Sequence, residues 1–530
     1  MSATFREKIY LTTPLYYVNA RPHIGHAYST ILADAISIFS RQKGLEMRFL
    51  TGTDEHGEKI ANMARKAEKS PRAFSDEVSE SFRSAWKTIG LRPDVFYRTT
   101  LAEHYALVQK ALQDLKDRGE IYFESYKGKY CVGCERFRTD QEWNEQGLCP
   151  DHLTPPDIRE ESNYFFKMGA YQEKLKKFYK DHPHAIQPEF YAREVLSFLD
   201  QPLEDLCISR PTSRLEWGIP LPFDNKYVTY VWFDALLSYL GGIGFGTSEF
   251  RKDLWANSVH LIGKDILKTH AVYWPTMLMA LGLEPFQRLQ VSGFLLTSGM
   301  KMSKSLGNVV DPLIVKERFG IEPLRYYLLR EVSYGSDSSF TWEGFINRAN
   351  ADLANGIGNL ASRTLTLSQK NLGGKVPSKS ARTAEDKAFL EGIHKMPAAF
   401  AEGFESCRYH IATTAFSEAV AACDRYINDN KPWALAKDPT QSERLGAVLG
   451  TAMDALWTLS VTMAGLLPEG HFKLRTALGD TQAAAALEAY QAGGLVAATP
   501  WTEALKMLPE GQALGEVPRL YPRLEMPKEE

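Results

Sequence analysis

Between Lys8 and Leu50 the hydrophobic period of the chain changes twice, and this constrains the fold more than any other feature. Lys8–Thr13 is short, largely apolar and rich in β-branched residues, as a buried strand should be. A turn-rich piece from Pro14 to Pro22 follows. Apolar residues then recur at Ile31, Leu32, Ala35, Ile36 and Phe39, a helical spacing that ends near Gly44 with Arg41 and Lys43 in the last turn. Met47–Leu50 reads as the next strand. Strand, helix and strand in this order open an α/β fold, a Rossmann-type doubly wound parallel sheet.

The 530 residues are too many for one core. From Ile121 to Asp224 the helical pattern gives way to clustered cysteines, prolines and short mixed elements, which reads as an insertion between two halves of the nucleotide domain. Strand-like Tyr227–Phe233 and Val259–Ile262 resume the first theme. Past Asn347, amphipathic Ala- and Leu-rich helices run to near Gly494 with almost no strand signal, so an all-α domain is expected. The implied division is 1–120 and 226–290 for the two catalytic halves, 121–225 for the connective insertion, 291–346 for a linking region and 347–530 for the helical domain and tail.

The net charge of −3 gives no global basic signature, so any nucleic-acid partner must be met by local patches. Six cysteines, three of them between Cys131 and Cys149, make a poor disulfide framework. Met1 to Tyr10 holds no apolar signal core, and Thr451–Leu467 contains Asp454 and is short for a membrane span. It reads as a buried helix. The expectation is a soluble, cytoplasmic protein with reduced thiols.

Three motifs carry chemistry. His23-Ile24-Gly25-His26 lies where strand and loop feed a helix, and a helix N-terminus binds phosphate through free N–H groups and its dipole. Gly25 admits close approach of a nucleotide, and the two imidazoles can face one ligand. Alone, such histidines are usually caps or surface accidents. Lys301-Met302-Ser303-Lys304-Ser305 places two lysines in a Gly- and Ser-rich loop suited to a polyphosphate; alone, it would be a solvated basic turn. Cys131-x2-Cys134-x14-Cys149-x2-His152 offers two close pairs of S and N ligands, which suggests one structural zinc and a zinc-knuckle insertion.

The first two motifs together resemble the signatures of the class I aminoacyl-tRNA synthetases, in the expected order and without substitution. The stretch from Ala27 to Met300 leaves no room for the editing domain of the valine, isoleucine and leucine enzymes. Pro14–Asn19, Thr53–Gly57, Tyr230–Ala235, Gly263–Ile266 and His270 are similar to strings of the methionine-specific family, in its single-knuckle bacterial type. The resemblance implies a methionine pocket of Leu15, Tyr17, Trp232, Tyr239, Ile266 and His270, with Asp54 on the substrate ammonium. Sulfur is polarizable and pairs well with aromatic edges, which suits this set.

On the same resemblance His23 and His26 stabilise the α-phosphate, and Lys304 with Lys301 holds the outer phosphates of ATP with Mg²⁺. Gly263 and Asp265 contact the adenosine side. Asn355, Asn359 and Arg363 recur every four residues, and Asn430–Trp433 supplies an aromatic after a turn. Amides, Arg and Trp can read and stack unpaired bases, and the resemblance makes Asn359, Arg363 and Trp433 the anticodon readers. The implied partners are ATP, L-methionine and tRNA(Met), initiator tRNA included, with no membrane and with a monomeric chain. A synthetase for another small amino acid such as cysteine would put zinc in the pocket rather than in the insertion. A non-catalytic RNA-binding paralogue would have decayed signatures, and a small-metabolite nucleotidyltransferase gives no reason for the helical domain.

Overall fold

The computed structural model describes residues 7–134, 136–138, 140–297, 300–301, 309–496 and 499–526. Among these, six strands pair in parallel in the order Val95–Arg98, Glu46–Asp54, Lys8–Tyr17, Ser258–Gly263, Arg288–Ser292, Ile186–Gln187. The first strand in sequence sits inside the sheet, and the chain winds outward from it in both directions. This is the doubly wound topology expected from the opening residues. The order reverses beside Lys8–Tyr17, where such sheets bind their ligands. Side chains alternate between two cores, as a strand's period of two demands. Ile9, Leu11 and Phe49 join one cluster; Tyr10 and Leu50 join the other.

The first strand departs from expectation. It runs to Tyr17 rather than stopping at Thr13, passing through Pro14. Pairing with Glu46–Asp54 slips between Thr12 and Leu15, and a proline without an N–H is tolerated at such an irregularity. The expected strand Tyr227–Phe233 is also different. Asp224–Thr229 is a strand of a small antiparallel sheet with Ser209–Pro211 and Pro220–Leu221, and Val231–Ala235 is helical. A short unbroken apolar run does not reveal its period, and here it spans the change from strand to helix.

Within the insertion, Ile121–Cys131 pairs antiparallel with Asp157–Phe166 and with Arg136–Arg138, next to the cysteine cluster. The strand Ile186–Gln187, from the same stretch, returns to the edge of the central sheet. Past residue 347 the regular elements among the described residues are all helices, including Asn359–Asn371, Tyr409–Asn430 and Ser442–Thr462, with non-helical chain between and after them. The described helix long and apolar enough to cross a membrane, Pro439–Thr462, has its apolar window entirely buried inside the protein.

Helix Ile24–Gln42 joins these layers. It is buried along nearly its whole length, polar Thr30, Asp34, Ser37 and Ser40 included, because the sheet covers one side and the helical region the other. Buried charge needs a partner, and Asp34 has one in Arg325 of helix Ile321–Glu331 at 2.6 Å. Arg325 also donates to the Gly465 carbonyl at 2.7 Å, and Gln42 Nε2 donates to the Val461 carbonyl at 2.9 Å. Asp34→Ala leaves the Arg325 charge unpaired and is expected to cost about 3–5 kcal/mol in urea unfolding. A loss below ~1 kcal/mol, the scale of a surface pair, would contradict this account.

Candidate active site and metal centre

The slip at Pro14 sets the geometry of the cleft. Past it, Leu15 pairs with Gly52 and Tyr17 with Asp54, so three of the expected methionine contacts stand at adjoining strand ends. The chain then turns and helix Ile24–Gln42 begins. His23 is its N-cap, in extended backbone conformation, and His23 Nδ1 accepts the Gly25 N–H at 3.1 Å. His26 Nδ1 accepts the His23 N–H at 3.3 Å, completing a capping box built from two imidazoles. The rings stack with centroids 3.7 Å apart. With Nδ1 accepting, the proton of each neutral ring sits on Nε2, where it can be donated to a ligand. Burial, with His23 alongside, holds His26 well below the usual histidine range, so it stays neutral at physiological pH. The two histidines are thus a cap, as histidines at a helix start usually are, and a pair of placed donors as well.

Both rings face a cavity of about 540 Å³. Leu15, Tyr17, Asp54, Trp232, Tyr239, Ile266 and His270 all line it, and so do Gly25, Gly263 and Asp265. A Cβ on Gly263 would stand 2.5 Å from Asp265 Oδ1, so a larger residue here would have to displace that carboxylate. Inside the slot the Tyr239 hydroxyl donates to His270 Nε2 at 3.0 Å, and His270 Nδ1 donates to the Ile266 carbonyl at 3.0 Å. Burial brings the His270 pKa down to about 4, so the imidazole is neutral. Tyr239 stacks on His260 at 4.6 Å, and His260 is held between Thr12 at 2.7 Å and the Trp274 indole at 3.2 Å. The result is an aromatic slot whose buried imidazoles are neutral and interlocked by hydrogen bonds, with the Asp54 carboxylate at its wall.

Segment Ser292–Leu295 also lines the cleft, and Leu295–Thr297 leads from it into a hairpin with Met300–Lys301. Lys304, with the rest of 302–308, lies outside the described residues, as does the side chain of Lys301.

The insertion brings Cys131, Cys134, Cys149 and His152 together, with their ligand atoms all within 4.8 Å of one another. Cys134 Sγ lies 3.6 Å from Cys149 Sγ and 3.4 Å from His152 Nδ1. A Cβ on Gly133 would stand 2.5 Å from the His152 ring, so glycine is what lets the loop close. Three thiols and an imidazole at this spacing could hold a metal ion, and they match the soft tetrahedral donor set of structural sites. Arg138 donates to Cys134 Sγ at 2.9 Å and pairs with Asp151, supplying positive charge beside a ligand that metal binding would ionise. Gly133, Cys134, Arg138, Asp151 and His152 line the same cavity as the aromatic slot, a proximity that spacing alone does not reveal.

In the helical region, Lys431 ends helix Tyr409–Asn430 in left-handed conformation at φ 44°, and Pro432 starts the next turn. Trp433 is left 39% exposed, and the Arg363 guanidinium lies 5.3 Å over its ring while donating to Asn428 Oδ1 at 3.1 Å. Asn359 and Asn355 are exposed. The helix carrying Asn355 is π-type and breaks at Gly356, so the four-residue spacing does not by itself set a common face there.

Sequence reading assigned no role to His56 or Asp234, although both fall inside quoted strings. Asp234 is fully buried and accepts from His56 Nδ1 and His104 Nε2, each at 2.6 Å.

Paired imidazole N–H donors at the switch point of a parallel sheet, beside an aromatic slot, fit what a class I aminoacyl-tRNA synthetase requires. A family model described as tRNA synthetases class I (M) matches residues 9–154 and 152–365. The methionine–tRNA ligase of Streptomyces coelicolor is 39% identical over 542 residues, covering 99% of each chain. That of Caldanaerobacter subterraneus subsp. tengcongensis is 39% identical over 526 residues, 99% of this chain and 80% of its own. The solved Mycobacterium tuberculosis methionyl-tRNA synthetase in complex with methionyl-adenylate superposes with a TM-score of 0.91 at 35% identity, over 98% of this chain and all of that one (100%). The chain belongs to the methionine family of class I tRNA synthetases.

The slot has a pH signature. An unfolded histidine takes up a proton near pH 6.5, whereas folded His270 resists until about 4. Its contribution to stability is therefore complete above pH 6.5 and is lost as the pH falls from there toward 4. His270→Gln is expected to flatten the decline in urea stability between pH 7.5 and 5; an unchanged slope would count against a buried neutral imidazole.

Proposed function

We propose that the protein activates methionine with ATP to methionyl-adenylate and transfers the acyl group to the 3′ end of tRNA(Met), initiator tRNA included. One observation carries the reading: a single cleft joins the His23–His26 donors to the Tyr239–His270 slot. The methionine carboxylate attacks the α-phosphate in line, expelling pyrophosphate, and the terminal 2′-hydroxyl of tRNA then takes the acyl group. No protein nucleophile is needed, because positioning and charge stabilisation suffice.

The roles of the described residues rest on their places in the structure, and those of Lys304 and Lys301 on their motif. His23 and His26 donate Nε2–H to the α-phosphate as its charge develops. Lys304 and Lys301 hold the β- and γ-phosphates with Mg²⁺. Gly263 and Asp265 receive the adenosine side. Asp54 takes the substrate ammonium, while Leu15, Tyr17, Trp232, Tyr239, Ile266 and His270 enclose the thioether and exclude branched side chains by shape. Cys131, Cys134, Cys149 and His152 hold one structural Zn²⁺, which fixes the fold of the loop beside the cleft. Arg363 and Trp433, with Asn359, read the anticodon by stacking and hydrogen bonding. The enzyme works as a cytoplasmic monomer, with residues 1–120 and 226–290 as its catalytic core, 121–225 as the insertion, 291–346 as the link and 347–530 as the tRNA-reading part.

Amino-acid-dependent ATP–pyrophosphate exchange across the twenty amino acids should respond to methionine; exchange with cysteine or leucine instead would overturn the reading. In the same preparation Trp433→Ala should leave exchange intact and depress tRNA charging, and undiminished charging would remove Trp433 from the anticodon site. Metal analysis of purified protein should find one zinc per chain, lost in Cys134→Ser. Well under one zinc in the wild type would exclude the assigned centre.

A further inference from the structure

Trp232 sits in the five-residue helix Val231–Ala235, too short to be stable alone, and its N-cap Tyr230 makes no side-chain capping bond. The orientation of this pocket wall must come from tertiary contacts. Asp234, two residues on, does not line the cleft; it is fully buried, and each carboxylate oxygen accepts from a different imidazole at 2.6 Å.

Those imidazoles come from two other elements. His56 lies two residues past Asp54, where the second strand ends, and His104 belongs to helix Ala102–Asp117. The far nitrogens are also engaged, His56 Nε2 with the Tyr105 hydroxyl at 2.9 Å and His104 Nδ1 with the Tyr97 hydroxyl at 3.2 Å. Each ring must present an N–H to the carboxylate, so both tautomers and both ring orientations are set by one side chain. Burial alone would push the Asp234 pKa up, but His56 and His104 outweigh it and hold the group ionised. Charge-assisted bonds of this length are strong and directional.

We propose that Asp234 is a positioning residue for amino-acid selection: by holding His56 and His104 it fixes the Trp232 wall of the slot against the Asp54 wall. This rests on the methionine reading for the identity of the slot's occupant. The nucleotide side, from His23 to Gly25 and at Gly263, lies on other elements and owes nothing to the clamp.

The test compares Asp234→Asn with His104→Gln in pyrophosphate exchange. The carboxamide accepts from one ring and must present N–H to the other, so the two walls lose their common reference. His104→Gln removes one anchor away from the cleft and covers the case in which Asp234→Asn does not fold, as judged by its thermal midpoint. Asp234→Asn is expected to raise KM for methionine about tenfold or more, the scale of a misplaced pocket contact. KM for ATP should stay within about twofold, and the preference for methionine over leucine should narrow; His104→Gln should show a smaller shift in the same direction. A wild-type methionine KM in the folded variants, or equal rises for methionine and ATP, would overturn the assignment. Wild-type exchange that follows another amino acid would instead overturn the methionine reading, and the same ratios measured with that amino acid would still decide the role of Asp234.

Discussion

The pairing of Lys8–Tyr17 with Glu46–Asp54 beyond the slip at Pro14 is the constraint on which the rest of the site depends. Without that slip the first strand would end before the pocket, and Leu15 and Tyr17 would have no fixed relation to Asp54. With it, two strands end together, the turn to His23 is short, and helix Ile24–Gln42 starts with its N–H groups at the cleft. Fold and chemistry meet at that point, since a parallel sheet opens a crevice at its carboxyl strand ends where its order reverses.

The groups gathered there share an electrostatic character. His26, His260 and His270 are all pushed below the usual histidine range, chiefly by burial, so the cleft is built from neutral rings whose tautomers are set by hydrogen bonds. A neutral donor suits an anionic phosphate that must be stabilised and then released, and a neutral slot suits a thioether. The charged side chains lining the cleft are Asp54, Asp151, Asp265, Lys59, Lys268 and Arg138, while Asp234 behind it and Asp34 in the long helix are buried and paired.

Much of this could be read from sequence. The period change between Lys8 and Leu50 identified the sheet, and the ligand spacing from Cys131 to His152 identified the metal set that converges within 4.8 Å. What escaped has physical reasons. Pro14 marks a turn in most contexts, and only its place opposite Glu46–Asp54 makes it part of a strand. The run Tyr227–Phe233 carries no readable period because it straddles a strand end and a helix. The Asp234 clamp joins positions 56, 104 and 234, a relation that exists only once the chain is folded. That the knuckle shares a wall with the aromatic slot is likewise a fact of tertiary packing.

Helix Ile24–Gln42 touches the cleft at one end and is covered along its length by the helical region, through Asp34, Gln42 and the apolar residues between them. The helical bundle is thereby part of the scaffold of the cleft and shares one hydrophobic cluster with it. A catalytic half cut away at the start of the bundle would bare an apolar face that no solvent-adapted surface replaces. In this chain the boundary that is plain in sequence pattern is not a boundary of packing: one apolar cluster runs across it.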